Sequence, residues 1–241
     1  MFYFLISSIL MYNWILILAA VVPAIFLMVK VYRSDRLERE SPALLRRLAV
    51  AGVLSSLLAL VEERILSAIL GAAVPSGTVL YNVILYFGIV ALSEESSKYI
   101  FLKKRTWRSP EFNCQYDGVV YAVFVSLGFA LWENISYVMN YGFSAAVVRA
   151  VTAIPGHACF GVFMGIFYGI AKKHERRGEE GKAKLYGALS LLVPALLHGA
   201  YDYIASLQQM QSGWYFVIFI AALFTVTFTL IDQSSENDRF I

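Results

Sequence analysis

Ionisable side chains with catalytic potential lie inside a largely apolar run of the chain. Glu94, Glu95 and Lys98 interrupt the stretch from about 78 to 102. Charged groups in a membrane cost about 2.5–3.5 kcal/mol each on insertion scales, so they face partners or a water-filled cavity. On a helix Glu94 and Lys98 share one face and can pair, while Glu95 points about 100° away. Two carboxylates beside an ammonium can supply a proton acceptor with a local counter-charge.

Three further apolar runs each carry polar groups that could join them. Glu133 lies among apolar neighbours, and the amide of Asn134 beside it can donate a hydrogen bond. His157 lies in the next run. His198 and Asp202 follow at i and i+4, a spacing that suits two ligands of one metal ion or a histidine oriented by a carboxylate. Each motif alone is weak evidence, so the interpretation depends on their combination.

The composition predicts a polytopic α-helical membrane protein. Hydrophobic residues make up 59% of the 241 residues, against about 45–50% in soluble domains. A membrane-spanning helix needs about 20 mostly apolar residues. Seven such spans are predicted, at about 10–31, 44–70, 78–102, 118–140, 145–171, 185–207 and 213–231. We treat 1–241 as a single membrane-embedded domain, with its motifs in 91–202 and the last span and an acidic tail in 203–241.

The placement of basic residues predicts the orientation of the bundle. Lys and Arg are abundant in three alternate connections, at about 30–47, 103–108 and 172–184, and absent from the connections between them. The positive-inside rule therefore places these basic loops in the cytoplasm and the N-terminus outside. Seven spans then leave the C-terminus, with Asp232, Glu236 and Asp238, in the cytoplasm. Nothing in the pattern indicates a surface that binds nucleic acid.

The polar groups of the four runs are predicted to lie at similar depth. Glu94, Glu133, His157 and His198 lie about 9 to 16 residues from the nearest basic-side loop, which is about 13–24 Å along a helix. One site near the middle of the membrane can therefore collect them. Two imidazoles and a carboxylate suit Zn²⁺ with a fourth position for water. The zinc-protease signature His-Glu-x-x-His is absent, so any metal site is assembled from separate helices.

Two further features concern helix packing. Glycines 161, 165 and 169 form a stripe that predicts close approach of another helix. Pro155 is predicted to kink the fifth span just before the histidine. The Glu62-Glu63-Arg64 motif lies near the end of the second span, which favours a structural or rim role over catalysis.

Taken together, these motifs resemble the PrsW family of intramembrane metalloproteases, relatives of CAAX prenyl endopeptidases and bacteriocin-processing membrane proteins. The matching residues are Glu94-Glu95-x-x-Lys98, Phe129-x-x-x-Glu133-Asn134, Pro155-x-His157 and His198-Gly-x-Tyr201-Asp202. The first loop, with Tyr32-x-x-Asp35 and Glu40-Ser41-Pro42, is also similar. Ser41 departs from the Glu-Pro that the family often has there. The resemblance extends from about residue 14 to 202.

The resemblance implies an endopeptidase of the prokaryotic cytoplasmic membrane that cleaves membrane-anchored substrates such as anti-sigma factors. Glu94 would be the general base, with Glu95 assisting it and Lys98 completing the motif. The zinc ligands would be Glu133, His157 and His198, with Asp202 as a ligand or as a partner of one. Asn134 and Tyr201 would support them. In the wider superfamily the same Glu and His arrangement could activate water without a tightly bound metal.

Other classes of membrane protein remain as alternatives. A proton- or cation-coupled transporter would also place acids along a path through the membrane, although the chain shows no convincing internal repeat. A sensor or scaffold would keep the same acids as structural pairs. Serine and aspartate intramembrane proteases fit poorly, because the motifs Gly-x-Ser-Gly and Gly-x-Gly-Asp are both absent.

Overall fold

The chain folds into an all-α bundle, as predicted. The computed structural model describes residues 2–207 and 210–241. Its helices are α1 (Phe2–Ser34), α2 (Pro42–Ala73), α3 (Val79–Val83), α4 (Leu92–Thr106), α5 (Asp117–Tyr141), α6 (Phe143–Val151), α7 (Ala153–Arg176), α8 (Glu180–Ser206) and α9 (Met210–Glu236), with a π-helical segment (Ile84–Ala91) between α3 and α4. Over these ranges the β-type pairing is limited to one isolated bridge, between Cys114 and Phe240.

Seven helical stretches within the described ranges are long and apolar enough to cross a membrane, the number that was predicted. They are Trp14–Ser34, Pro42–Ala73, Val79–Thr106, Asp117–Tyr141, Phe143–Arg176, Glu180–Ser206 and Gly213–Glu236. The third combines α3, the π-helical segment and α4, and the fifth combines α6 and α7. Each overlaps a predicted span. The orientation of the termini stays a prediction, because the packing of the helices does not show which end of the bundle faces the cytoplasm.

Helix α5 lies at the centre of the bundle. It packs against α1, α2, α4 and α7. From Asp117 to Ala130 every residue is buried except Phe124, which is half-buried. A helix that is apolar around its whole circumference suits such a position, because protein rather than lipid covers it on all sides. The last turns of α5 carry Glu133 beyond this fully covered part.

Small residues let α7 approach α5 closely, as the glycine stripe predicted. A Cβ atom on Gly165 would lie 2.4 Å from the Cα atom of Val119. Gly161 and Gly169 also face α5, and the added Cβ atoms would meet its residues or the residues just before it. The two backbones are therefore in contact at Gly165, which leaves no room for a side chain there.

We expect Gly165→Ala to destabilise the fold. The new Cβ atom would clash with backbone atoms of α5, which cannot rotate away, so we expect a cost of about 1–3 kcal/mol. Thermal unfolding of the purified protein in detergent micelles measures the change. Gly181→Ala is the matched control, because nothing lies within 4 Å of the Cβ atom added there. Equal unfolding midpoints for the two variants would contradict the close packing.

Two irregular segments set the rotation of the helices that carry polar groups. The π-helical segment ends at Ala91, three residues before Glu94, and π-helical turns shift the register of the residues that follow. The break between α6 and α7 falls at Thr152 (φ −122°, ψ −71°). It is explained by Pro155, whose ring clashes with the carbonyl four residues earlier. The predicted kink before His157 is therefore confirmed as a break in the helix.

One end of the bundle is closed by three non-membrane segments that contact one another. They are the α1–α2 loop (residues 35–41), the α4–α5 loop (107–116) and the C-terminal tail (237–241). The Asn113 side-chain amide donates to Glu38 of the first loop (3.0 Å). The Ile241 N–H donates to the Asn113 carbonyl (2.8 Å). The three segments thus form one hydrogen-bonded layer.

Two carboxyl groups of the α1–α2 loop are buried under this layer. Glu40 is 5% exposed, and burial, together with the nearby carboxyl of Asp117, raises the pKa of Glu40 to about 9. Asp35 is 2% exposed, and burial and the carboxyl of Asp238 raise the pKa of Asp35 to about 6. The protein alone therefore disfavours the charged forms of both groups.

Candidate active site

Four side chains from three helices converge inside the bundle. Glu94 and Glu95 come from α4, His157 from α7 and His198 from α8. Each offers one ligand atom, and these atoms all lie within 4.8 Å of one another. All four residues are buried. The structure thus assembles acids and imidazoles that lie up to 104 positions apart in the sequence.

The Lys98 ammonium lies at the centre of this cluster. Its Nζ atom is 2.8 Å from Glu95 Oε1, 3.2 Å from Glu94 Oε2 and 3.1 Å from His157 Nδ1. It also lies 4.0 Å from the centre of the Phe129 ring. The predicted i, i+4 pair with Glu94 is present, and the i, i+3 contact with Glu95 is the shorter one. A buried ammonium between two carboxylates balances one of their two negative charges.

A chain of polar contacts extends from His157 to α6. The Nε2 atom of His157 is 2.8 Å from Glu133 Oε2. The same carboxylate forms an ion pair with Arg149 (2.9 Å), whose Nε donates to Asn134 Oδ1 (2.9 Å). The Asn134 amide donates in turn to the Ala20 carbonyl on α1 (3.0 Å). Contacts to two other helices therefore hold Glu133 against one ring nitrogen of His157.

His198 is held on both ring nitrogens and on one face. Its Nδ1 atom is 2.9 Å from Glu95 Oε1 and 3.9 Å from Glu94 Oε2, and its Nε2 atom is 3.3 Å from Asp202 Oδ2. The Phe160 ring stacks on the imidazole with centroids 4.7 Å apart. Of the two arrangements open for the His198/Asp202 spacing, the structure shows a histidine that contacts its carboxylate directly.

A cavity of about 580 Å³ opens beside the cluster. Its walls include Glu94, Glu133, His157, His198 and Asp202, whereas Glu95 and Lys98 are not part of them. The two adjacent glutamates therefore differ in position. Glu94 meets the cavity, and Glu95 is 0% exposed behind it. Only Glu94 of the pair is placed to touch a molecule in the cavity.

Several residues of the cavity wall have no catalytic or metal-binding role in the sequence interpretation. Arg149 and Glu63 both line the cavity, although Glu63 was assigned a structural or rim position. Phe160 follows His157 by three positions, so its place on the same helix face was available from the sequence. Tyr201, a predicted supporting residue, also lines the cavity and meets Phe160 edge-on with centroids 6.0 Å apart.

Gly199 brings α8 against the π-helical segment. A Cβ atom there would lie 2.5 Å from Phe87 Cδ1 and 3.0 Å from Phe87 Cα. Because Gly199 directly follows His198, this contact fixes the distance between α8 and the segment that leads into Glu94. The glycine of the His198-Gly-x-Tyr-Asp202 motif thus has a packing function next to the polar cluster.

The donor atoms of the cluster suit a zinc ion, although the Lys98 ammonium contacts three of these atoms. Two imidazoles and two carboxylates are common zinc donors, and Glu95 Oε2 is buried with no hydrogen-bond partner in the described part of the chain. The residues at hand for an ion are Glu94, Glu95, His157 and His198. Glu133, predicted as a ligand, and Asp202, predicted as a ligand or as a partner of one, contact the Nε2 atoms of the two histidines. Lys98 Nζ lies among the same donors, so a bound ion would have to displace it.

Comparison with known proteins finds relatives over almost the whole chain. A family model described as PrsW family intramembrane metalloprotease matches residues 40–228. Proteins named Protease PrsW from Geobacillus kaustophilus and Clostridioides difficile are 32% and 27% identical over 224 and 230 residues. Each alignment covers 93% of this chain, with 94% and 93% of the respective relative.

A third relative is more similar over a shorter region. The Protease PrsW of Bacillus subtilis is 44% identical over 112 residues, which is 46% of this chain and 49% of that protein. No solved structure matches the chain.

Proposed function

Because the chain belongs to the PrsW family of intramembrane metalloproteases, a membrane protease family, we propose that this cavity is its active site. In the proposed reaction a peptide bond of a membrane-anchored protein is hydrolysed there. The observation that carries the proposal is the position of Glu94, whose carboxylate borders the cavity between Lys98 and His198. A base in such a place can take a proton from a water molecule at the scissile carbonyl.

The two glutamates have different proposed roles, because only Glu94 borders the cavity. Glu94 accepts a proton from water as the water oxygen bonds to the carbonyl carbon. It then passes this proton to the amide nitrogen as the C–N bond breaks. Glu95, away from the cavity, orients Lys98 and His198 through contacts of 2.8 and 2.9 Å. Lys98 places a positive charge 2.8 Å from Glu95 and 3.2 Å from Glu94.

We assign the two histidines, with Glu95, as the residues that would hold zinc. When bound, the ion would polarise the carbonyl and acidify the water. Glu133 and Asp202 then act on the outer ring nitrogens, where a carboxylate fixes the orientation of an imidazole. The Arg149 and Asn134 contacts keep Glu133 in that place.

For the substrate class we propose anti-sigma factors anchored in a bacterial cytoplasmic membrane, whose cleavage starts a stress response. This follows the family resemblance. The basic loops, with the C-terminus, would lie in the cytoplasm. Co-expression with a single-span anti-sigma factor from the same genome tests it: we expect a shortened product, which 1,10-phenanthroline abolishes if zinc is required. If the anti-sigma factor stays intact while the purified protease cleaves another membrane-anchored protein, the substrate class is wrong and the proposed protease activity stands.

The zinc assignment has its own test. We expect about one zinc ion per purified wild-type chain by elemental analysis, and a loss of about 10-fold or more in zinc affinity for His157→Ala. His174→Ala is the matched control, because His174 contacts Glu179 near the end of α7. If wild-type protein that contains no zinc still cleaves the substrate, the zinc assignment is wrong, whereas the proposal that Glu94 is the general base still stands.

A further inference from the structure

A second group of buried carboxylates lies at the other end of α5. Asp35 and Glu40 of the α1–α2 loop meet Asp117, the first residue of α5, and one oxygen of each lies within 4.8 Å of the other two. They are 2%, 5% and 0% exposed. Asp117 and Glu133 are separated by about 24 Å of helix, so this acidic cluster is distinct from the proposed active site.

Few protein groups compensate the charge of this cluster. Both Asp35 oxygens and Asp117 Oδ1 are buried without a well-formed hydrogen bond from any part of the chain that the structure describes. Asp117 Oδ2 accepts from the backbone N–H groups of Asn113 (2.9 Å) and Cys114 (2.7 Å). No Lys, Arg or His of the described ranges forms an ion pair with any of the three. Buried carboxylates in this condition cost several kcal/mol unless a counter-ion is present.

An independent polar group also points at the cluster. The Tyr121 hydroxyl is next to Glu40 and Asp117, and the residue is 0% exposed. Its oxygen has no well-formed hydrogen bond within the described ranges. A phenol oxygen can accept as well as donate. The side-chain atoms that the cluster offers a ligand are therefore oxygens, several of which have unused lone pairs.

The loops that carry the cluster are held in place by contacts outside it. The Ser41 backbone N–H donates to Glu111 Oε2 (3.3 Å), and the Ser41 side chain caps α2 by accepting from Leu44. The Tyr116 N–H donates to Asp238 Oδ1 (2.8 Å). Two loops and the C-terminal tail thus present the three carboxylates in a defined arrangement, which a ligand would not have to create.

We propose that Asp35, Glu40 and Asp117 bind a hard divalent cation, Mg²⁺ or Ca²⁺, which ties the α1–α2 loop to the start of α5. Carboxylate oxygens with no nitrogen or sulfur donor are the ligand type of these two ions. When all three carboxyl groups are ionised, a divalent cation reduces their summed charge from −3 to −1. The ion stabilises the end of the bundle that bears the basic loops, and takes no part in peptide hydrolysis.

Thermal unfolding of the full-length protein in detergent micelles tests the site. After treatment with a chelator, we expect addition of MgCl₂ or CaCl₂ at about 100 times the Kd to raise the unfolding midpoint by about 5–10 °C. KCl at equal ionic strength should not do so. Asp35→Asn should lose the rise, whereas the matched exchange Asp232→Asn, at an exposed position of α9, should keep it.

A second measurement does not depend on the folding of a variant. Tb³⁺, a luminescent probe of Ca²⁺ sites, should bind the wild-type protein and be excited through nearby tyrosine, and excess Ca²⁺ should displace it. Glu94→Gln should retain both the luminescence and the rise in midpoint, so the site can be judged whether or not the protease mechanism holds. No divalent-specific rise, or an equal rise for Asp35→Asn and Asp232→Asn, would overturn the proposal in favour of carboxyl groups that share protons.

Discussion

Glu94→Gln is expected to lower the rate of substrate cleavage by about 10²–10⁴-fold, the usual contribution of a general base. The amide keeps the shape of the side chain and can still meet Lys98 and the cavity, but it cannot accept a proton from water. Cleavage of a membrane-anchored reporter by purified protein in liposomes measures the effect. Thermal unfolding of the same preparation checks that the variant is folded.

Glu63→Gln is the matched control for this experiment. Glu63 lines the same cavity and undergoes the same exchange. In the part of the chain that the structure describes, it forms no ion pair with either histidine or with Lys98. We expect less than about a 10-fold effect. If the two variants lose activity equally, the requirement is for negative charge in the cavity and Glu94 is not the base. Normal cleavage by Glu94→Gln would reject the proposed mechanism outright.

His198→Ala is expected to reduce cleavage by a similar factor, about 10²–10⁴-fold. The imidazole connects Glu95 with Asp202 and lies 3.9 Å from Glu94. Its removal leaves the carboxylates with Lys98 as their main positive partner and removes a candidate metal ligand. The same liposome assay, with metal content measured in parallel, separates loss of the base from loss of an ion.

His174→Ala is the control exchange for His198→Ala. His174 contacts Glu179 (3.0 Å) and stacks on Tyr186 with centroids 5.3 Å apart, away from the cavity. We expect wild-type cleavage from it. Because alanine also leaves a gap beneath Phe160, His198→Gln provides a second variant of larger volume. Full activity of a folded His198→Gln protein would contradict a catalytic or ligand role for the imidazole.

The sequence alone determined the class of the protein and the group of residues to examine. Seven apolar stretches of sufficient length predict seven spans, because the hydrophobic length of a helix is a local property. Ionisable groups within those spans stand out, because membrane burial of charge is costly. The helical rise then predicted that Glu94, Glu133, His157 and His198 share one depth.

Only the tertiary structure decided which atoms meet. Whether Glu94 or Glu95 borders the cavity depends on the rotation of α4, which the π-helical segment before it alters. The position of His157 depends on the break at Thr152. The contacts of Glu133 and Asp202 with the outer nitrogens of the histidines, and of Lys98 with three of the donors, depend on how separate helices are turned toward one another. Sequence spacing fixes the depth of a residue along its own helix, whereas rotation about the axis and the choice of neighbour arise from packing among all seven spans.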